Sequence, residues 1–167
     1  MKWVATIVMM AALVAPCAFA ELTTVLLVRH AEKVATTDKD PDLTDDGHAH
    51  ARALVETLAR VDLAAIYSTP FTRTRDTVAP VAAAKGLEIT VVEAGPDLAT
   101  TLARRILEEH RGRTVLVSGH SNTLGPTLEA LGAGPSFELD ESEYGDLFVC
   151  TIPEQGPPRV LRLKAWH

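Results

Sequence analysis

Short runs of β-branched and aliphatic residues recur along the chain at 24–28, 64–67, 88–92, 114–117 and 147–152, with a last one near 160–163, and each predicts a strand. Between them the apolar positions change to a helical period. Leu98, Leu102 and Ile106 fall on one helical face, as do Leu124, Leu128 and Leu131. Thr44 followed by Asp45 and Asp46 reads as an N-cap with acids where the helix dipole favours them, which predicts a helix over 44–60. Another begins near Pro70 or Phe71 and ends by Lys85-Gly86, glycine being the usual residue just past a helix C-terminus. No repeat or low-complexity linker interrupts 21–167. The strand–helix alternation predicts one α/β domain with a mostly parallel central sheet and helices on both faces.

The first twenty residues follow a different pattern. Lys2 precedes an uncharged run over 3–19, and Ala18-Phe19-Ala20 supplies small residues at the two positions a signal peptidase reads. Residues 1–20 are therefore expected to be a cleaved secretory signal, giving a periplasmic or secreted protein with no stable membrane insertion. A membrane anchor is the rival reading, the run being close to the ~20 residues that cross a bilayer, but Pro16 and the Ala-Phe-Ala ending favour cleavage. A lipid tether at Cys17 is disfavoured by the proline just before it.

Composition adds little to the fold but narrows the partners. Of 167 residues 47% are hydrophobic and 23% charged, the balance of one ordinary globular domain, and the net charge is −6. Loss of Lys2 with the signal, and of no acid, would take this to −7. An acidic domain without lysine and arginine clusters argues against broad nucleic-acid binding, so any anion site must be a local exception. Cys150 would be the only cysteine left, which excludes an internal disulfide; its place in Leu147-Phe148-Val149-Cys150 reads as a small buried hydrophobe.

In such sheets ligands gather beyond the carboxyl ends of the strands. There stand Arg29-His30 after the first strand, Ser68-Thr69-Pro70 leading to Arg73 after the second, Glu93 after the third, and Ser118-Gly119-His120-Ser121-Asn122 after the fourth. A neutral imidazole has a ring lone pair and is a competent nucleophile towards phosphorus, which makes His30 the candidate. Neighbouring cations lower its pKa and draw a phosphate dianion into line. Arg29 and Arg73 offer planar forks to phosphoryl oxygens. His120 is a third donor, and Ser121-Asn122 opens a helix whose free N–H groups add to the same anion site. Such a pocket needs neither metal nor cofactor, because phosphoryl transfer asks mainly for positioning and charge stabilisation. Taken singly, each motif reads more readily as an ion pair or a cap; at successive strand ends together they point to one small phosphorylated substrate.

Four segments, "LLVRHAEK" at 26–33, "LTDDG" at 43–47, "YSTPFTRTRDT" at 67–77 and "VLVSGHSNT" at 115–123, resemble in order and spacing the histidine phosphatase superfamily, the phosphoglycerate mutase-like family. The resemblance implies a three-layer α/β/α fold, a phosphohistidine on His30, and phosphate-pocket roles for Arg29, Arg73 and His120. It departs at Ala31, where the family usually has glycine and where a methyl group is expected at the pocket rim. Arg75 competes with Arg73, and family spacing together with the i, i+4 relation of Arg73 to Thr77 favours Arg73. His48, His50, His110 and His167 match no motif and read as surface residues. Family members draw the general acid from different places; Glu93 is the first choice here, with Glu32 and Asp97 as rivals and a solvated loop acid as the plain alternative.

The superfamily serves mutases as well as phosphatases. There is no room for a capping insertion between Thr77 and Glu93, and the tail after the last strand is Ala165-Trp166-His167, so an open pocket that favours hydrolysis over mutase chemistry is expected. The expected activity is phosphomonoester hydrolysis. The alternatives are a phosphoprotein or phosphohistidine phosphatase, a mutase, or a non-catalytic phosphate-binding module.

Overall fold

The computed structural model describes residues 21–166; the expected signal segment at 1–20 and His167 lie outside the described residues. Six strands, β1 (Thr23–Arg29), β2 (Ala65–Ser68), β3 (Ile89–Val91), β4 (Thr114–Gly119), β5 (Asp146–Ile152) and β6 (Arg159–Lys164), form one sheet in the order β3-β2-β4-β1-β5-β6. Among the described residues the helices are α1 (Asp45–Thr57), α2 (Thr72–Lys85), α3 (Leu98–Glu109) and α4 (Ser121–Ala130). β1 to β4 pair in parallel, whereas β5 and β6 run antiparallel to their neighbours. The three-layer α/β/α architecture matches the expectation.

Strand alternation builds two cores, one on each face of the sheet. Val25, Leu27, Val115 and Val117 meet Leu98, Leu102 and Ile106 of α3 and Leu124 and Leu128 of α4. Leu26, Val28, Ile66 and Leu116 meet Leu54 of α1 and Val78 and Val81 of α2 on the other face. Cys150 is fully buried in the first core, where desolvation pushes its thiol up to about 11, so it packs as the small hydrophobe the sequence suggested. Helix ends follow local chemistry. The Thr44 hydroxyl accepts the Gly47 N–H at 3.0 Å, and Gly86 closes α2 at φ +65°. Among the described residues no helix is long and apolar enough to cross a membrane.

The strand order decides which strand ends meet. β1 lies beside β4 with Arg29 opposite Gly119, and the His30 N–H donates to the Gly119 carbonyl at 2.9 Å, so the two histidine-bearing ends are adjacent. β2 flanks β4 with Ser68 opposite Ser118, bringing Thr69 to the same place. β3 is the edge strand, three strand spacings from β1 or about 14 Å away. Because β5 is antiparallel, its entry rather than its exit lies at the end of β1, with Val28 opposite Leu147. The segment before β5 therefore arrives at the histidines. Its path relies on Gly125, where any Cβ would collide with the Phe137 backbone, and on Leu139, whose N–H donates to the Ser121 carbonyl at 3.1 Å and whose side chain joins the first core.

Candidate active site

His30 is 3% exposed and stands where β1 leaves the sheet. Its Nδ1 lies 2.8 Å from the Ala31 carbonyl, which can only accept, so Nδ1 carries the proton and Nε2 keeps the lone pair. Burial lowers its pKa to about 4; Arg29 and Arg73 add to the fall, while the Ala31 carbonyl and Glu141 oppose it. The sequence reading gave the cations the leading part, but desolvation has it. The Ala31 N–H donates to Thr77 Oγ1 at 2.8 Å, and the Thr77 hydroxyl donates to the Arg73 carbonyl at 2.7 Å, tying the turn of α2 that carries Arg73 to the strand end that carries His30. Ala31 itself is fully buried in the second core and does not line a pocket rim, which corrects the expectation for its methyl group.

His120 faces His30 edge-on, with ring centroids 5.4 Å apart, and packs edge-on against Phe71 at 5.2 Å. Its Nε2 is 3.0 Å from Thr69 Oγ1, which in turn is 2.7 Å from Thr74 Oγ1. Its backbone N–H donates to Thr123 Oγ1 at 2.8 Å, a cap that needs glycine at 119, since a Cβ there would lie 2.7 Å from the same hydroxyl. Burial lowers the His120 pKa to about 3, followed by the effects of His30, Arg73 and Arg29. The unfolded chain protonates both rings near pH 6.5, the folded one only near 4 and 3, so between those values the unfolded chain binds more protons. Stability should fall as pH drops below about 6.5. Urea midpoints across that window in phosphate-free buffer measure this, and a midpoint that no longer changes with pH in a His30→Asn/His120→Asn variant would tie the slope to these rings.

Arg29 is 1% exposed, and its Nη1 donates to three carbonyls, those of Asp140 (3.0 Å), Glu141 (3.0 Å) and Glu143 (2.9 Å). Nη2 reaches Glu141 Oε2 at 3.0 Å and Tyr144 OH at 3.4 Å, and the guanidinium lies 4.2 Å over the Tyr144 ring. Its buried Nε has no protein partner. Of the planar fork, only the Nε–Nη2 edge is left for a ligand, and Glu141 sits on half of it. Arg73 makes long 3.4 Å contacts from Nη1 to the Lys39 carbonyl and Asp40 Oδ1, stacks 4.4 Å from the Phe71 ring, and likewise buries an unpartnered Nε. Burial lowers its pKa, and it senses Arg29, Glu141 and Tyr144, so it belongs to the same cluster. Arg75 is exposed, and none of the ionic contacts among the described residues involves it.

Ser121 is buried, and its hydroxyl donates to Glu141 Oε1 at 2.5 Å; as the first two residues of α4, Ser121 and Asn122 have no intrahelical acceptor for their N–H groups. The Asn122 side chain is exposed and lines a separate shallow cavity of about 230 Å³ with Gly95, Pro96 and Leu98. Glu93 is exposed beyond the edge strand and is not among the groups with the largest effect on either histidine. Glu32 is held by His50 Nδ1 at 2.7 Å, and exposed Asp97 precedes α3. His50 stacks on Trp166 at 5.7 Å and His110 Nε2 meets the Tyr67 hydroxyl at 2.8 Å, so both are half-buried packing residues rather than surface ones. Among the described residues no group of three His, Cys, Asp or Glu side chains is placed to hold a metal ion.

Sequence reasoning missed Glu141 and Tyr144. Both precede β5, and only that strand's antiparallel sense brings them to the histidines. Glu141 reaches Arg29 and Ser121 directly and acts electrostatically on His30, His120 and Arg73.

A model of the histidine phosphatase superfamily (branch 1) matches residues 25–94. Phosphoserine phosphatase 1 of Hydrogenobacter thermophilus is 40% identical over 70 residues, which are 38% of this chain and 33% of that protein, so the match spans a third of the relative's length. Among solved structures, mycobacterial glucosyl-3-phosphoglycerate phosphatase in complex with inorganic phosphate superposes with a TM-score of 0.65 at 14% identity, over 85% of this chain and 98% of that one. The protein histidine phosphatase SixA complexed with tungstate gives 0.64 at 20% identity, over 85% and 97%. At these identities the structures speak for the fold alone, and they extend it beyond the matched segment to include His120. The chain thus matches the histidine phosphatase superfamily model over residues 25–94 and shares the fold of these solved structures beyond that segment.

Proposed function

We propose that the protein is a phosphatase that hydrolyses phosphomonoesters through a phosphohistidine on His30, without a metal ion, and that it works after export. The observation that carries this reading is the His30 ring: Nδ1 is tied to a carbonyl, Nε2 is unprotonated at neutral pH, and two guanidiniums beside it keep buried N–H groups unpartnered. Nε2 attacks phosphorus while the Nε–Nη2 edge of Arg29, Arg73, His120 and the start of α4 stabilise the equatorial oxygens. Water then attacks the phosphohistidine and regenerates the neutral ring. A pure phosphate binder gains nothing from a nucleophile fixed in that tautomer.

The test is hydrolysis of an aryl phosphate in EDTA combined with trapping of acid-labile radiolabel on the protein. Turnover that survives chelation and leaves label supports the enzyme, whereas phosphate binding with no turnover across phosphate esters, phosphoserine and phosphohistidine peptides would show a binding module. That panel also sorts small esters from phosphoproteins, a choice kept open by relatives that bear the names phosphoserine phosphatase and protein histidine phosphatase. Export is tested separately by N-terminal sequencing of the mature protein, which should begin at Glu21.

Arg73→Ala should lose about 2–4 kcal/mol of transition-state stabilisation in kcat/KM, the scale of removing one preorganised donor. Arg75→Ala should leave the rate unchanged. Equal losses in the two variants would move the phosphate-binding role away from Arg73.

A further inference from the structure

We infer that Glu141, at the mouth of the pocket, is the proton donor and acceptor of the reaction, an assignment that rests on the phosphatase reading above. The backbone around it is clamped to the pocket because Arg29 Nη1 holds the carbonyls of residues 140, 141 and 143. Its carboxylate, by contrast, is 72% exposed and engages Arg29 Nη2 with one oxygen and the Ser121 hydroxyl with the other. Those are groups that an incoming phosphoryl oxygen needs. Two anions cannot share them at such distances, so substrate displaces the carboxylate. With the backbone held, a side-chain rotation is the movement required, and it leaves Glu141 at the rim.

The rim is also where the leaving oxygen must emerge. His30 is buried, so in-line attack by Nε2 directs the opposite, departing oxygen outward toward solvent. Of the acids in the sequence reading, Glu93 follows the edge strand, Glu32 is bound to His50 and Asp97 is exposed ahead of α3, whereas Glu141 contacts Arg29 and Ser121 directly.

Displacement also changes the protonation of Glu141 in the useful direction. In the free protein the Ser121 hydroxyl first, then Arg29, His30 and Lys33, hold its carboxyl below the usual range. Arg73 and His120 sense its charge as well. Once phosphate takes Ser121 and Arg29, the hydrogen bond is lost and a dianion stands beside the carboxylate, so both changes raise its proton affinity. The exposed group then takes a proton from solvent. As the His30 Nε2–P bond forms and the P–O ester bond breaks, Glu141 gives that proton to the departing oxygen. In the second half it removes a proton from water while the water oxygen bonds to phosphorus and the N–P bond breaks, returning His30 and releasing phosphate.

Glu141→Gln keeps an oxygen for Arg29 and an amide for the loop, so folding is preserved and is checked by thermal unfolding. Across a series of phosphate esters with graded leaving groups, the variant should lose about a hundredfold or more in kcat/KM on alkyl phosphates yet stay within about threefold on p-nitrophenyl phosphate, whose phenolate departs without a proton. In Glu141→Ala, added formate should restore part of the alkyl phosphate rate. A uniform loss across the series, no loss at all, or failure of formate rescue would overturn the assignment while leaving the phosphatase reading intact. A wild-type protein inert toward every ester would overturn both.

Discussion

Replacing His30 by alanine is expected to abolish turnover and the acid-labile label together while leaving inorganic phosphate binding within a few-fold of wild type. If His30 is the nucleophile proposed above, it is the one group in the cluster whose loss removes a bond-forming step rather than a stabilising contact. Loss of the covalent route in other enzymes costs on the order of ten-thousandfold or more in kcat. On the proposed reading binding depends instead on Arg29, Arg73, His120 and Ser121, none of which hydrogen-bonds to the His30 ring; that ring's one bond is to the neighbouring Ala31 carbonyl. Truncation therefore leaves the anion-binding groups in place. His30→Asn, which retains a side-chain amide, should behave alike, because no amide nitrogen offers a lone pair to phosphorus. Stopped turnover with retained label would place the phosphoryl group on another side chain, His120 being the next imidazole. Lost phosphate binding would show that the ring holds the pocket open and is not simply its nucleophile.

Much of this arrangement was legible because it follows from local pattern. The β-branched and aliphatic runs placed the strands, the leucine faces placed α3 and α4 and the cap signals α1 and α2, and the rule that ligands collect at strand carboxyl ends picked out Arg29, His30, Arg73 and His120, which the fold brings together. What the pattern could not give was lateral order and strand sense. A period of 2 reads the same in a parallel or an antiparallel strand, so nothing at 147–152 announced that β5 would run backwards and deliver residues 140–144 to the histidines. The acids Glu138, Asp140, Glu141 and Glu143 precede a strand instead of following one, so the strand-end rule passes over them. Glu93 looked equivalent to the other strand-end residues, yet β3 is the outermost strand, separated from β1 by β2 and β4. Ala31 failed for a related reason: one residue past His30 the chain turns inward, and the methyl group enters the core of α1 and α2.

The segment before β5 makes Arg29 unlike Arg73, and the difference predicts the outcome of substitution at 29. Arg29 holds the loop and, on the proposed reading, the phosphoryl group as well: three carbonyls, a carboxylate and a tyrosine ring converge on one buried guanidinium. Removing it in Arg29→Ala strands those acceptors, at a cost of about 3–5 kcal/mol for breaking a buried charge network. Against a total stability of about 5–15 kcal/mol for a domain this is a large share, so the melting temperature should fall together with kcat/KM, whereas Arg73→Ala should reduce only the rate. Arg29→Lys separates the two duties. An ammonium has three donors for the three carbonyls and keeps the positive charge, so most of the stability should return. It has no Nε–Nη2 edge and cannot present two parallel N–H groups to a phosphoryl oxygen pair, so activity should stay within about tenfold of Arg29→Ala. Thermal unfolding and steady-state kinetics on the three variants decide the matter: Arg29→Lys with wild-type turnover would mean that charge alone matters at this position, and Arg29→Ala with wild-type stability would mean that the loop is held by Leu139 and not by the guanidinium.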